Sequence, residues 1–310
     1  MTPFFSVVIP LYNKEGFIEE TLKSVLTQSF KYFEIIIVND GSTDRSEDIV
    51  NSFKDFRIKI FTIKNHGASH ARNYGIKKAS GNYIALLDAD DFWYENHLLT
   101  IFHLINEFPD MGMYCSGYNI LLGGKHYKKS KLKYIPYGYK GLVKNYFESN
   151  LYDSIVNSSA VVIPKYIFDN ISFFDVDLRS GQDTYLWTQI ALKNSVAINN
   201  IVTSIYVKND NSLSTSKATE DRLLLLDKFI EQEKTNKSLK KFMDMNRYAV
   251  ALNFKMTNNI LSKSIYKNID PNNLSLKQKT IFLMPKNLLR YLYSLKTKLD
   301  RKGIFFYLYR

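Results

Sequence analysis

The chain has 310 residues, 45% apolar and 15% aromatic, and carries a net charge of +12. That composition excludes a disordered or fibrous protein and leaves one large globular domain or two smaller ones. A single cysteine, Cys115, excludes an intrachain disulfide framework and a cysteine zinc site, and fits a reducing compartment.

In chain order, Phe5 to Leu11 reads as a buried first strand, with Pro10 near its end where a missing N–H is tolerated. The spacing of Ile18, Leu22, Val25 and Leu26 predicts a helix over about 15–26. Glu34 to Asn39 is a second strand, stopped by the turn Asp40-Gly41-Ser42. Asp44 stands where it can cap the next helix, whose apolar positions include Ile49, Val50 and Phe53. Arg57 to Ile63 is a third strand, and a helix follows over about 68–78. Then comes Gly81 to Trp93, GNYIALLDADDFW, an apolar strand that stops at Asp88, Asp90 and Asp91.

This alternation predicts a parallel sheet covered on both faces. Right-handed crossovers bring all the strand ends to one edge. Pro10-Leu11-Tyr12-Asn13, Asp40-Gly41-Ser42 and Asp88-Ala89-Asp90 then line one rim, which is where open α/β sheets bind ligands. Tyr12 offers a ring for a base to stack on, and Asp40 an acceptor for a base N–H. Continuing the strand's alternation, Asp88 and Asp90 face the same way, and a divalent cation relieves their repulsion. The plainer reading is a solvated turn, with Asp91 or Asn96 capping the next helix. The first loop, PLYNKEG, holds neither a P-loop nor a dinucleotide fingerprint.

Four blocks carry a resemblance: SVVIPLYN, IIVNDGSTD, NHGASHARNYG and GNYIALLDADD. In this order the chain resembles the family-2 inverting glycosyltransferases, with their A-type glycosyltransferase fold, over roughly residues 4–215. The resemblance implies a nucleotide-sugar donor, read as a UDP-sugar, and Mn²⁺ or Mg²⁺. By position, Pro10, Tyr12 and Asp40 would hold the base, with Asn13 in the same donor-binding loop. Arg72 would meet the ribose or pyrophosphate side. Asp88 would lie near the ribose, Ala89 beside it, and Asp90 would hold the metal with Asp88 as its neighbour. Taken alone, Arg72 reads as a surface ion pair; its place in the Ala-Arg-Asn block reverses that.

Further along, 95–108 reads as a helix and 111–116 as a strand. The run 123–140 interleaves six lysines with Tyr127, Tyr134, Tyr137 and Tyr139. It reads either as a solvated flexible loop or as a flap over the acceptor. Ser158 to Pro164 looks like a strand returning beneath the site. In Ser180-Gly181-Gln182-Asp183, Gln182 stands where the family usually has an acid, and Asp183 keeps the second one. The resemblance makes Asp183 the general base; the plainer reading is an N-cap for a helix over 184–193. Val207 and Asn209 stand where the family often has Arg and His, leaving Lys208 or Asp210 as candidates to stand in for the missing His.

Charge separates the two ends. Residues 221–310 hold 19 Lys+Arg against 7 Asp+Glu, leaving 23 of each before them. The organisation expected is a transferase domain over 1–218 and a helical basic segment over 219–310. Leu288, Leu292, Leu295 and Leu299 repeat at helical spacing among basic residues, and an aromatic cluster closes the chain at 304–309. That pattern fits an anionic membrane surface, or leucines packed on the transferase domain or a second subunit. No nucleic-acid module accompanies the charge. The N-terminus lacks a signal peptide's basic region, and no apolar run approaches the ~20 residues that span a bilayer. The expectation is a cytoplasmic enzyme, peripheral at most on the cytoplasmic face of the inner membrane. It would extend a glycan, lipid-linked in view of the basic end, in cell-surface polysaccharide synthesis. The alternative is a sugar-nucleotide-binding homologue without catalysis.

Overall fold

The computed structural model describes residues 2–178, 180–208 and 221–305. By its internal contacts the chain divides into two units: 1–120 with 135–144 and 155–207, and 121–134 with 145–154 and 208–310.

The first unit starts from four strands, β1 (Phe5–Leu11), β2 (Phe33–Asn39), β3 (Ile58–Thr62) and β4 (Tyr83–Leu86). They lie parallel in the order β3-β2-β1-β4, with Val7 between Ile35 and Ala85. The helices α1 (Ile18–Leu26), α2 (Ser46–Ser52) and α3 (Ala68–Lys78) connect them. All of β2 is buried, as a strand covered on both faces requires. The helix expected from about 15 starts at Ile18 because Asn13 takes a left-handed φ of 49° and residues 14–17 close a turn, with the Phe17 and Ile18 amides donating to the Lys14 carbonyl.

Beyond β4 come β5 (Phe92–Trp93), β6 (Met113–Leu122), β7 (His126–Lys129), β8 (Lys140–Leu142), β9 (Val161–Pro164) and β10 (Val196–Lys208). The sheet runs on from β4 as β9-β6-β10-β5. β9 lies antiparallel to β4 and β6, and β5 and β8 lie antiparallel to β10. The return strand expected at 158–164 is therefore present from Val161, after a 3-10 turn over Ser158–Ala160 capped by Asn157. Helix α4 (His97–Glu107) packs Leu98, Ile101 and Leu104 into the core with Phe5, Val7 and Val162. One charge sits among these apolar strands. Glu34 is buried and accepts from Ser6 Oγ (2.6 Å), Lys59 Nζ (2.7 Å) and the Ser80 amide (2.7 Å). Burial alone would raise its pKa, but Lys59, Ser6 and Ser80 outweigh it and bring it down to about 2.

The second unit takes the short α5 (Tyr146–Ser149) together with the C-terminal helices. After α6 (Gln182–Lys193), which belongs to the first unit, these are α7 (Asp221–Asp227), α8 (Ile230–Thr235), α9 (Lys237–Thr257), α10 (Ser262–Lys267), α11 (Leu276–Leu283) and α12 (Lys286–Asp300). The long α9 is their common partner: Phe147 meets Phe242, and Tyr248 donates to the Gln278 carbonyl at 2.8 Å. Buried Arg247 grips both oxygens of Glu233 at 2.7 Å and reaches Asp244 at 3.0 Å. Such a pair is sustained by its mutual hydrogen bonds, because each member alone would be a costly buried charge. Of the expected leucine repeat on α12, Leu292 and Leu299 are half-buried, while Leu288 and Leu295 are exposed. No described helix is long and apolar enough to cross a membrane. The positions 209–212 and the end of the aromatic cluster, 306–309, lie outside the described residues.

Candidate active site

The rim is built by loops that satisfy one another's backbone donors. After β1, Asn13 Oδ1 accepts from the Thr43 amide (2.8 Å), and the Asn13 amide donates to Ser42 Oγ (3.1 Å). The Lys14 amide donates to Ser46 Oγ (2.7 Å), and the Glu15 amide to Asp44 Oδ2 (3.0 Å). Asp44 Oδ1 in turn accepts from the Ser46 amide, so Asp44 secures the start of α2 and the first loop together. Asn13 thus serves first as a loop fastener. Tyr12, on the same loop, is 45% exposed, enough ring to stack on. Pro10 is half-buried and keeps its place in β1.

Asp40 is buried at the end of β2. Its two oxygens accept from the His66 amide (2.9 Å) and the Gly67 amide (2.7 Å). Gly67, at φ +92°, is the residue before α3. Asp40 therefore starts the helix that carries Arg72. Each oxygen keeps a second lone pair.

β4 ends at Leu86, and Asp88 to Asp91 form a turn, with the Asp91 amide donating to the Asp88 carbonyl at 3.0 Å. The strand alternation expected to align Asp88 with Asp90 does not extend this far. Each acid has its own partner. Asp88 Oδ1 accepts from Arg72 at 2.5 Å, and Asp90 Oδ2 from Lys14 Nζ at 2.6 Å. Asp91 turns inward to Ser159 Oγ (2.5 Å) and the Val207 amide (2.7 Å). Ser159 Oγ also accepts from the Asp88 amide (3.0 Å). Burial, then the charges of Asp88 and Asp90, push the Asp91 carboxyl well above the usual carboxylate range. Ala89 is buried, and its carbonyl accepts from Thr21 Oγ1 at 3.0 Å. The capping role considered for Asp91 and Asn96 is absent: α4 starts after Asn96 without a side-chain cap, and Asp91 is engaged elsewhere.

Arg72 is the centre of the arrangement. Its guanidinium is buried over the Phe174 ring at 5.3 Å. Burial works against its charge, but Asp88 outweighs that, with smaller help from Asp183 and Asp90, so its pKa is raised. Asp183 thus lies within electrostatic reach of the same cation as Asp88 and Asp90. It is exposed on the first turn of α6, two residues past the N-cap rather than at it, because left-handed Gly181 (φ 85°) takes the cap position and the helix starts at Gln182. Asp183 Oδ1 accepts from the Thr184 amide at 2.7 Å, and Oδ2 has no partner among the described residues.

A divalent cation fits this donor set. The side chains of Asp88 and Asp90 are 28% and 13% exposed, and each keeps one oxygen without a partner among the described residues. Hard oxygens of this kind suit Mg²⁺ or Mn²⁺. No group of three or more acidic, His or Cys side chains is gathered for a metal among the described residues. The protein would offer two carboxylates and leave the other positions to substrate and water, the usual habit of Mg²⁺.

Lys14, Ser159 and Phe174 are the residues that sequence reasoning passed over. Lys14 directly follows Asn13, but nothing in its spacing announces a contact 76 positions away. Three of the six lysines of 123–140 have acidic partners within their own units: Lys128 with Asp153, Lys133 with Glu148, and Lys140 with Glu107. Tyr134 and Tyr137 of that run are exposed.

A parallel half-sheet ending in an acidic turn, with a buried arginine bonded to that turn, is the ligand-facing rim of an open α/β sheet. Residues 6–161 match the model of "Glycosyl transferase family 2", and the chain belongs to that family. It is 32% identical over 278 residues to an uncharacterized glycosyltransferase of Rickettsia conorii, covering 87% of this chain but 39% of that protein. It is 30% identical over 207 residues to the glycosyltransferase GlyA of Streptococcus pneumoniae, covering 62% of this chain and 29% of the relative. The chain thus spans well under two thirds of these relatives' length. In fold it is similar to residues 1–349 of TarS of S. aureus in complex with UDP-GlcNAc, with TM-score 0.68, 20% identity, and coverage of 97% of this chain and 90% of that one. The mannosyltransferase PcManGT of Pyrobaculum calidifontis, in complex with GDP-Man and Mn²⁺, matches with TM-score 0.59 and 15% identity over 98% of this chain and 84% of its own.

Proposed function

We propose that this protein is an inverting, metal-dependent glycosyltransferase that moves a sugar from a nucleotide-sugar donor, a UDP-sugar, to a glycan acceptor. The observation that carries the reading is the acidic turn beyond β4, where Asp88 is held by the buried Arg72 at 2.5 Å and Asp90 by Lys14 at 2.6 Å, with one oxygen of each left open among the described residues. The donor complexes of the two structural neighbours agree with the donor class.

In this reading Tyr12 stacks on the base, beside Pro10 and the remaining lone pairs of Asp40. Arg72, fixed by Asp88, faces the ribose and pyrophosphate side. Asp90 and Asp88 hold Mg²⁺ or Mn²⁺, which when bound offsets the negative charge growing on the departing diphosphate. Asp183 takes the proton of the acceptor hydroxyl through Oδ2 as that oxygen bonds to the anomeric carbon. The bond to the diphosphate breaks on the opposite face, which inverts the configuration.

Binding and transfer screens with nucleotide sugars and Mn²⁺ test this. Asp183→Asn should keep donor binding and lose about 100-fold or more in transfer, the span of general-base catalysis. Near-normal transfer by that variant would exclude it as the base.

The acceptor is read as lipid-linked, in surface-polysaccharide synthesis, with the enzyme at an anionic membrane surface. On α12, Leu288, Tyr291 and Leu295 share an exposed stripe with Lys298 toward its end, and Lys302 is exposed in the turn just beyond it. Apolar side chains edged by lysines suit a headgroup boundary. Serine at all three apolar positions should reduce co-sedimentation with phosphatidylglycerol vesicles. Unchanged sedimentation, or equal binding to neutral phosphatidylcholine vesicles, removes the membrane reading.

A further inference from the structure

We propose that Lys14 is a resident counter-ion that competes with the divalent cation for Asp90, and that this competition makes cation binding depend on the nucleotide donor. The inference rests on the metal role given to Asp90 above.

Lys14 Nζ lies 2.6 Å from Asp90 Oδ2, with side-chain exposures of only 29% and 13%. A charge-assisted contact of that length, partly withdrawn from water, is stronger than an exposed surface pair. The root of Lys14 is fixed. Its amide is bonded to Ser46 Oγ, its carbonyl takes the Phe17 and Ile18 amides, and its neighbours Asn13 and Glu15 are tied to the 42–45 loop. Only the flexible end of the side chain can swing away from Asp90.

The charges of the cluster decide the consequence. Asp88 with Arg72, and Asp90 with Lys14, sum to zero, and Asp183 near Arg72 brings the cluster to −1. A divalent cation arriving alone at the open oxygens of Asp88 and Asp90 is repelled by the ammonium seated on Asp90 Oδ2, and leaves the rim with a net positive charge. A nucleoside diphosphate arriving with it supplies at least two negative charges and gives the ammonium a second partner away from Oδ2. Cation and diphosphate therefore bind with positive coupling, and by linkage the coupling is the same from either side. Removing the lysine charge leaves an acidic rim that takes the cation unaided.

Mn²⁺ binding followed by electron paramagnetic resonance of the free ion, with and without UDP, tests this without turnover. The unaltered protein should bind Mn²⁺ weakly alone and more tightly with UDP; equal affinities in the two conditions overturn the proposal without any variant. Lys14→Gln should bind Mn²⁺ alone about tenfold more tightly than the unaltered protein and lose most of the UDP dependence, a span set by the strength of a charge-assisted pair. Lys14→Arg, which keeps the charge, should behave as the unaltered protein does. If Lys14→Gln matches the unaltered protein while Asp90→Asn abolishes Mn²⁺ binding, the lysine inference falls and the metal site stands. If Asp90→Asn leaves Mn²⁺ binding intact, both fall.

Discussion

Asp88, Asp90 and Asp91 lie in one turn and reach three unlike partners: Arg72, Lys14 and the interior pair of Ser159 and the Val207 amide. Sequence reading could find the acids, because a cluster of carboxylates beyond an apolar strand is a local pattern. It could not find the partners, which are brought in by α3, by the first loop and by segments more than sixty positions downstream. The distinction matters for Asp91. Its carboxyl is held in the uncharged direction by burial, so whatever stability it adds is complete below the unfolded value near 3.8 and is lost as pH rises through its raised folded value. Asn at this position keeps an acceptor for the Val207 amide and has no charge to bury, while its Nδ2 reverses the Ser159 contact, donating to Oγ where the carboxyl oxygen accepts from it. Asp91→Asn should therefore match or exceed the unaltered protein in urea unfolding at pH 8. A loss of more than about 2 kcal/mol there would mean that the ionised carboxylate carries the turn, since an orphaned buried donor costs about 1–3 kcal/mol.

At the level of elements, the parallel half of the sheet was legible because strands buried on both faces are continuous apolar runs, and the glycine and aspartate turns punctuate them. The return strand β9 was legible for the same reason. The two-residue β5 was not, because its pairing with Ser204 and Ile205 of β10 is set by chain packing and leaves no period to read. The division of 123–140 between the two units left no compositional mark either. Helix α3 shows a further constraint. A Cβ on Gly75 would lie 2.5 Å from Val8 Cγ1 and 3.2 Å from Val38 Cγ2, so the helix rests directly on β1 and β2. Alanine there gains about 1 kcal/mol of helix propensity. Against this, over-packing of a tight contact costs about 1–3 kcal/mol. At 2.5 Å from a stiff valine the clash wins, and Gly75→Ala should unfold at lower urea. Because Arg72 is carried on the same helix, one turn earlier, the variant should also bind UDP more weakly. A more stable Gly75→Ala protein would show that α3 is free to move off the sheet.

For the molecule as a whole, the charge asymmetry was visible in the sequence, but the buried titrating groups were not, because burial comes from the assembled core. Two of them set its behaviour in acid. His97 is fully buried, stacked on Trp93 and bonded through Nδ1 to Thr203 Oγ1, and burial lowers its pKa to about 3. Glu34 is held down at about 2. Both folded values lie below the unfolded ones of 6.5 and 4.5, so in each case the unfolded chain takes up the proton first as pH falls. His97 loses its contribution between pH 6.5 and 3, and Glu34 between 4.5 and 2. Between 6.5 and 4.5 the loss falls to His97 and is on the order of 3 kcal/mol, at about 1.4 kcal/mol for each pH unit. Asp91 acts in the opposite sense above 3.8, because its folded carboxyl holds a proton that the unfolded one has lost, and so works against the His97 loss. In the Asp91→Asn protein, where that offset is gone, urea unfolding should therefore weaken steadily from pH 6.5 to 4.5, and adding His97→Phe, which fills the site without titrating, should flatten that stretch. The unaltered protein should show a shallower slope than Asp91→Asn. If adding His97→Phe keeps the Asp91→Asn slope, the acid sensitivity arises elsewhere and the histidine is charged in the folded core.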